Sequence, residues 1–246
     1  MEVYDDVEAE LDRLDLILGR LTDPQWKSAS AAPGWSIADV VLHLAQTEEF
    51  VLASVGGGER SQRIDLVGGT VDEVMGNLVA AERATPPDAI LDRWRAARTA
   101  SLAALRRADP TEPLQWVAAP LKPASLATTR LAEHWAHALD ITGPLGIAYD
   151  DTDRLRHVAW LAHRTLPYAF SVAFPGTPAP SVYAELTAPS GATWRLGVPG
   201  ADLVVTGPGG EWCRLGAKRL TPEQATLTWI GDLGPEVLRA LRNYAA

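Results

Sequence analysis

Apolar residues recur at every third or fourth position through the first three-fifths of this chain, then alternate with polar ones through much of the rest. These periods belong to helices and to half-buried strands respectively, so the chain reads as two differently built parts. Val3, Val7, Leu11, Leu14, Leu18 and Leu21 predict an amphipathic helix over 3–21, stopped by Asp23 and Pro24. The AAPGW stretch at 31–35 is turn chemistry, and Ser36 with Asp39 three residues on occupies the places of a capping box. A second helix follows over 37–55, after which glycines at 56–58 and 68–69 bracket a polar loop. Val71, Val74, Met75, Leu78 and Val79 predict a short helix. Pro86 and Pro87 interrupt, and the apolar row from Ile90 through Trp94 to Leu105 predicts a longer helix to about residue 107. A proline-rich loop over 108–123 carries Trp116 and leads to LATTRLAEHWAHALD at 126–140, the last helix of this part. Long amphipathic helices joined by loops imply an up-and-down bundle, which builds sites from side chains projecting inward on facing helices.

The texture changes after 142–153, where two glycines, a proline and three aspartates mark a domain boundary. We place the helical domain at 1–146 and a second domain at 147–246. A helix over 153–170 is followed by strand-like runs at 181–186, 192–198, 203–206 and 225–230. Val182, Ala184 and Leu186 alternate with more polar neighbours, as do Trp194, Leu196 and Val198, around the turn Ala188-Pro-Ser-Gly. Helices near 211–219 and 235–244 complete an α+β unit. Gly207-Pro-Gly-Gly lacks the Lys-Ser/Thr of a phosphate loop and reads as a turn.

The helix over 126–140 gathers chemistry on one side. Thr129, Arg130, Glu133, His137 and Asp140 share a face at helical spacing. Glu133 and His137 are about 6 Å apart along the axis at about 1.5 Å rise per residue, close enough for both to reach one ion at about 2.0–2.2 Å. The same spacing also suits a solvated polar face with a simple i,i+4 hydrogen bond. In the helix over 37–55, His43 lies in a row with Val40, Thr47, Phe50 and Val51, so it points toward the core. A buried neutral histidine needs partners for its nitrogens. A backbone carbonyl would serve, as would an ion shared with Glu133 and His137. Asp140 could accept an N–H from a ligating histidine or stand as a surface carboxylate at the helix end. Arg130 could hold an anionic substrate or pair with Glu133. His134 lies about 100° round from Glu133 at about 3.6 residues per turn and faces elsewhere.

Composition excludes several classes. Lys and Arg number 22 against 31 Asp and Glu, a net charge of −9 with no basic block, which argues against nucleic acid and an anionic membrane surface as partners. No run reaches the roughly 18 apolar residues of a membrane span. The acidic, amphipathic start is unlike a signal peptide, and a single cysteine, Cys213, rules out an internal disulfide; both point to the cytoplasm. Cys213 sits in an apolar context and reads as packed; His157 and His163, six apart, read as structural or surface groups. A monomer and a homodimer both fit.

PGWSIADVVLHLA (33–45) and RLAEHWAHALDI (130–141) resemble the two signatures of the DinB-like, mycothiol-dependent maleylpyruvate isomerase superfamily. TDRLRHVAWLAHRT (152–165), LTAPSGATW (186–194) and EVLRAL (236–241) resemble one actinobacterial metal-binding subfamily of it. The resemblance implies an N-terminal all-α four-helix bundle holding a divalent metal, usually zinc, and a C-terminal α+β domain related to sterol-carrier-type folds. It makes His43, Glu133 and His137 the metal ligands. It assigns a C-terminal arginine to the substrate, with Arg219 the match and Arg214 the competitor.

Two imidazoles and one carboxylate would leave a coordination position open, as catalytic sites do. A zinc ion there can deprotonate a bound thiol, lower the pKa of bound water to about 7, or polarise a carbonyl. The resemblance favours the thiol, with mycothiol adding to an unsaturated small metabolite and leaving after isomerisation, or staying as an adduct in an S-transferase. A thiol-independent metal-dependent lyase, hydratase, cyclase or hydrolase is a second reading. A non-catalytic small-molecule-binding protein, suggested by the nine tryptophans and the sterol-carrier likeness, is a third. Nickel, iron and manganese suit the same ligands as zinc.

Overall fold

Six helices make up the N-terminal part: α1 (Val3–Leu18), α2 (Asp23–Lys27), α3 (Ile37–Gly56), α4 (Val71–Glu82), α5 (Pro87–Arg107) and α6 (Pro123–Thr142). They belong to a computed structural model that describes residues 3–57, 70–117 and 119–244. Most of the polar loop expected after α3 falls in 58–69, outside the described residues. The chain divides into two compact units between Tyr149 and Asp150.

In the first unit the long helices pack α3 on α5, α1 on α6, and α3 on α6. Leu14, Leu18, Leu42, Leu44, Ile90, Trp94, Leu126, Leu131 and Trp135 are fully buried between them. Helix α3 is buried on nearly every side from Asp39 to Glu48, because α5 and α6 both cover it. That central position carries His43 into the interior.

Asp23 and Pro24 start a helix where a stop was expected. Thr22 and Gln25 form a capping box, and a proline in the first turn removes only an N–H that has no helical partner. Pro87 and Pro123 open α5 and α6 in the same way. Among the described residues no helix is long and apolar enough to cross a membrane.

The second unit contains α7 (Leu155–Ala173), β1 (Val182–Thr187), β2 (Thr193–Leu196), β3 (Leu203–Pro208), α8 (Gly209–Gly216), a 3-10 turn (Pro222–Gln224), β4 (Thr228–Ile230) and α9 (Gly234–Ala240). The sheet order is β2-β1-β3-β4, with β1 and β3 parallel and the two outer pairs antiparallel. Val182, Ala184 and Leu186 alternate inward along β1, as Leu203 and Val205 do along β3. Helix α8 packs against both strands and against α7, where the indole N–H of Trp212 donates to the Ala159 carbonyl at 3.2 Å. Gly207-Pro-Gly-Gly is not a free turn: β3 runs through Pro208, and α8 begins at Gly209. The glycines are needed there. A Cβ on Gly209 would come within 2.6 Å of the Trp194 ring, and one on Gly210 within 1.9 Å of the Asp151 carboxylate.

Candidate metal centre

The Ser36–Asp39 capping box fixes the start of α3. The Ser36 backbone N–H donates to Asp39 Oδ2 at 2.9 Å, and the Asp39 N–H donates to Ser36 Oγ at 3.1 Å. His43 follows one turn later, facing α6. There Glu133 Oε1 lies 2.9 Å from His43 Nε2 and 3.4 Å from His137 Nε2. Among the described residues, His43, Glu133 and His137 are the one group of three His, Cys, Asp or Glu side chains whose ligand atoms all lie within 4.8 Å of one another. Tetrahedral bonds of about 2.1 Å put neighbouring ligand atoms about 3.4 Å apart, which the His137–Glu133 gap of 3.4 Å matches, while the 2.9 Å gap at His43 is narrower and would have to open to admit an ion. The site is open on one side: the Glu133 side chain is 29% exposed, against 6% for His43.

The two imidazoles are held differently. His137 Nδ1 donates to Asp140 Oδ2 at 2.9 Å, and Asp140 is buried. This carboxylate–histidine pair leaves Nε2 to face Glu133. His43 Nδ1 is buried with no hydrogen-bond partner among the described residues. Packing orients His43 instead, with the Trp35 ring 5.1 Å away at 53°. The same indole stacks over His137 at 6.4 Å and 19°. The loop carrying Trp35 is tied to the end of α6 where the Ala31 N–H donates to the Asp140 carbonyl at 2.9 Å.

Charge follows from these contacts. Burial pushes the His43 pKa down, only partly offset by Glu133. Burial would raise Glu133, but hydrogen bonds from His137 and His43 hold it well below the usual carboxylate range. Burial also works against a charged His137, yet Asp140 and Glu133 prevail and raise it to about 9. A carboxylate, a neutral imidazole and a protonated imidazole therefore share the cluster.

One turn further on lies a second buried cluster. Arg130 Nε donates to Glu48 Oε1 at 2.8 Å and Nη2 donates to Thr47 Oγ1 at 2.7 Å. Arg130 thus pairs with Glu48 rather than Glu133, and it is only 3% exposed. Ser101 Oγ bonds the other Glu48 oxygen, and Trp116 lies 5.8 Å from the Arg130 guanidinium. His134 faces this cluster and not the metal centre. Its Nδ1 donates to the Arg130 carbonyl at 2.9 Å, which leaves Nε2 to accept the Trp94 indole N–H at 3.1 Å. No motif in the sequence marks out Glu48, which stands beside Glu49 on α3.

In the second unit, Arg219 leaves α8 through a helix-ending turn. Its N–H bonds the Arg214 carbonyl at 2.8 Å, across Lys218 at φ 58. Arg219 Nη1 donates to the Ala217 carbonyl at 2.7 Å. Arg214 makes a two-pronged pair with Asp151 at 2.6 and 2.9 Å. Cys213 is fully buried against the Leu155 carbonyl, and burial raises its pKa well above the usual thiol value. His163 Nε2 donates to the Val182 carbonyl at 2.9 Å.

Residues 7–142 match the family described as the mycothiol maleylpyruvate isomerase N-terminal domain. An uncharacterized protein of Mycobacterium tuberculosis, found in two strains, is 33% identical over 232 residues, spanning 92% of this chain and 89% of the relative. The crystal structure of the mycothiol-dependent maleylpyruvate isomerase aligns with a TM-score of 0.62 at 14% identity, covering 92% of this chain and 91% of that one. A histidine-to-alanine mutant of that isomerase aligns with a TM-score of 0.60. At this identity the two structures establish a shared fold.

Proposed function

The chain belongs to the mycothiol-dependent maleylpyruvate isomerase family, and on that premise we propose that it is a divalent-metal-dependent enzyme, with zinc the first candidate, of the mycothiol-dependent isomerase or S-transferase type. Its substrate would be an unsaturated or otherwise electrophilic small metabolite. The observation that carries this reading is the convergence of His43 Nε2, His137 Nε2 and Glu133 Oε1 at metal-ligand spacing on a side that solvent reaches. In this reading the helical unit is a DinB-like four-helix bundle and the second unit a sterol-carrier-like domain.

The donor set fits a divalent ion with one open position, and the chain's one cysteine, Cys213, is buried against the Leu155 carbonyl. A bound zinc ion would supply the positive charge that turns a coordinated thiol into thiolate, the nucleophilic form.

The chain's own residues prepare that site. Burial keeps His43 neutral, and the proton its Nε2 shares with Glu133 would have to pass to Nδ1 to free a lone pair for an ion. Glu133 stays ionised through its two histidine contacts. His137 would give up the proton on Nε2 to serve as a ligand, while its Nδ1–H, donated to Asp140, holds the ring orientation. Trp35 covers the imidazoles from one side. Arg219 is the residue of the second unit we assign to an anionic substrate, with Arg214, which pairs with Asp151, as the competitor.

The test is turnover of a cis-unsaturated α-keto acid by zinc-loaded protein with and without mycothiol. Turnover that needs both thiol and metal supports the proposal. Turnover that persists without thiol moves the protein to the lyase or hydrolase class, and inactivity of the loaded protein across electrophilic substrates removes the enzyme reading.

A further inference from the structure

We infer that the buried Glu48–Arg130 pair is a positioning device that sets the register of α3 against α6 and thereby brings His43 to Glu133 and His137. The inference rests on the reading of those three side chains as metal ligands.

The geometry is specific. Glu48 and Arg130 are 82 residues apart in sequence and both almost wholly buried. Each sits about one turn from the ligands on its own helix: Thr47 and Glu48 follow His43, and Arg130 precedes Glu133. The guanidinium spans two α3 residues at once, Nε on Glu48 and Nη2 on Thr47. Thr47 Oγ1 in turn donates to the His43 backbone carbonyl at 3.0 Å, so the arginine is linked through one hydroxyl to the backbone of a ligand.

Apolar burial carries no direction of its own. Val40 and Leu44 on α3 and Leu126 and Leu131 on α6 are buried aliphatic side chains. Such contacts do not by themselves distinguish helix registers one turn, about 5.4 Å, apart, and a slip of that size would carry His43 out of reach of Glu133. The ion pair does not tolerate it, since either partner would be left charged and buried. A buried ion pair is weak evidence of net stabilisation, and fixing register is the best-attested use of such groups.

The test exploits that distinction. Replacing both partners with methionine, Glu48→Met with Arg130→Met, removes both charges. The neighbouring hydroxyls stay satisfied: Ser101 still has the Arg98 carbonyl at 3.1 Å, and Thr47 still has that of His43. His134 keeps the backbone carbonyl of residue 130. The double variant is expected to fold and unfold cooperatively, to bind zinc at least about tenfold more weakly, and to give an altered cobalt(II) ligand-field spectrum. Arg130→Lys, which keeps the charge beside Glu48, is expected to recover most of the affinity. A double variant with wild-type zinc affinity and cobalt spectrum overturns the inference, as does an Arg130→Lys variant no better than the double. If the double variant does not fold, Glu48→Gln with Arg130→Gln decides: it removes both charges while keeping the two positions polar, and wild-type zinc affinity there overturns the inference. Absence of zinc binding by the wild type would instead overturn the metal-centre reading, and is read from the wild type alone.

Discussion

Asp140 Oδ2 lies 2.9 Å from His137 Nδ1, three residues apart on α6, and so turns the opposite ring nitrogen toward Glu133. The contact is buried, so it orients the ring in a way an exposed carboxylate would not. We expect Asp140→Asn to fold and to bind zinc about 10–100-fold more weakly, as loss of a carboxylate behind a ligating histidine does. Competition with a chromogenic chelator measures it, and wild-type affinity in the variant would remove Asp140 from the site.

His137 makes metal binding depend on pH in a stated direction. Its metal-free pKa is about 9, and a ligand must be neutral at Nε2, so binding at pH 7 should release about one proton. Affinity should rise about tenfold per pH unit up to that value and then level. Titration calorimetry in two buffers of different ionisation enthalpy counts the proton. The same shift affects folding. A pKa raised above the ordinary 6.5 gives the metal-free protein stability that is fully present below pH 6.5 and lost as pH rises through about 9. Urea denaturation at pH 6 and pH 9.5 reads that loss.

His134 has the opposite sign. Burial is the main cause of its pKa falling from 6.5 to about 4, and its Nε2 is already occupied as the acceptor of the Trp94 indole. The unfolded chain takes up a proton below pH 6.5 that the native state refuses, so stability is full above pH 6.5 and is lost as pH falls through about 4. A His134→Gln variant should show a shallower acid-side slope in urea denaturation at pH 7.5, 6 and 5. An unchanged slope would contradict a buried neutral imidazole.

Cys213 bears on the source of any thiol chemistry. It is fully buried, and burial holds its thiol protonated. We expect it to be inert to a water-soluble disulfide reagent in the native protein and to react with one equivalent in denaturant. Fast native labelling would make it a nucleophile in its own right and weaken the case for an external thiol.

Much of this was legible from residue spacing. The helix rows placed α3, α5 and α6, and the Ser36–Asp39 pattern located the start of α3 because a capping box is a local hydrogen-bond exchange. The sheet alternation at Val182, Ala184 and Leu186 was likewise local. The misreadings came from two sources. Asp23-Pro24 and Gly207-Pro-Gly-Gly read as breaks, because proline at a helix start and glycine at a crowded strand–helix junction carry the same letters as a turn. Glu48 and its Arg130 partner were not paired because nothing in either segment marks the other; only packing makes that acid buried. The one advance signal was its place at the end of an otherwise uncharged run from Val40 to Thr47, broken only by His43.

Zinc stoichiometry in wild type and in His43→Ala, measured side by side on metal-stripped protein, tests the central claim most directly. If His43, Glu133 and His137 form one centre, the wild type binds one equivalent, and the variant, still folded, loses that binding or weakens it by orders of magnitude. Equal binding by both proteins, or none by the wild type, would contradict it.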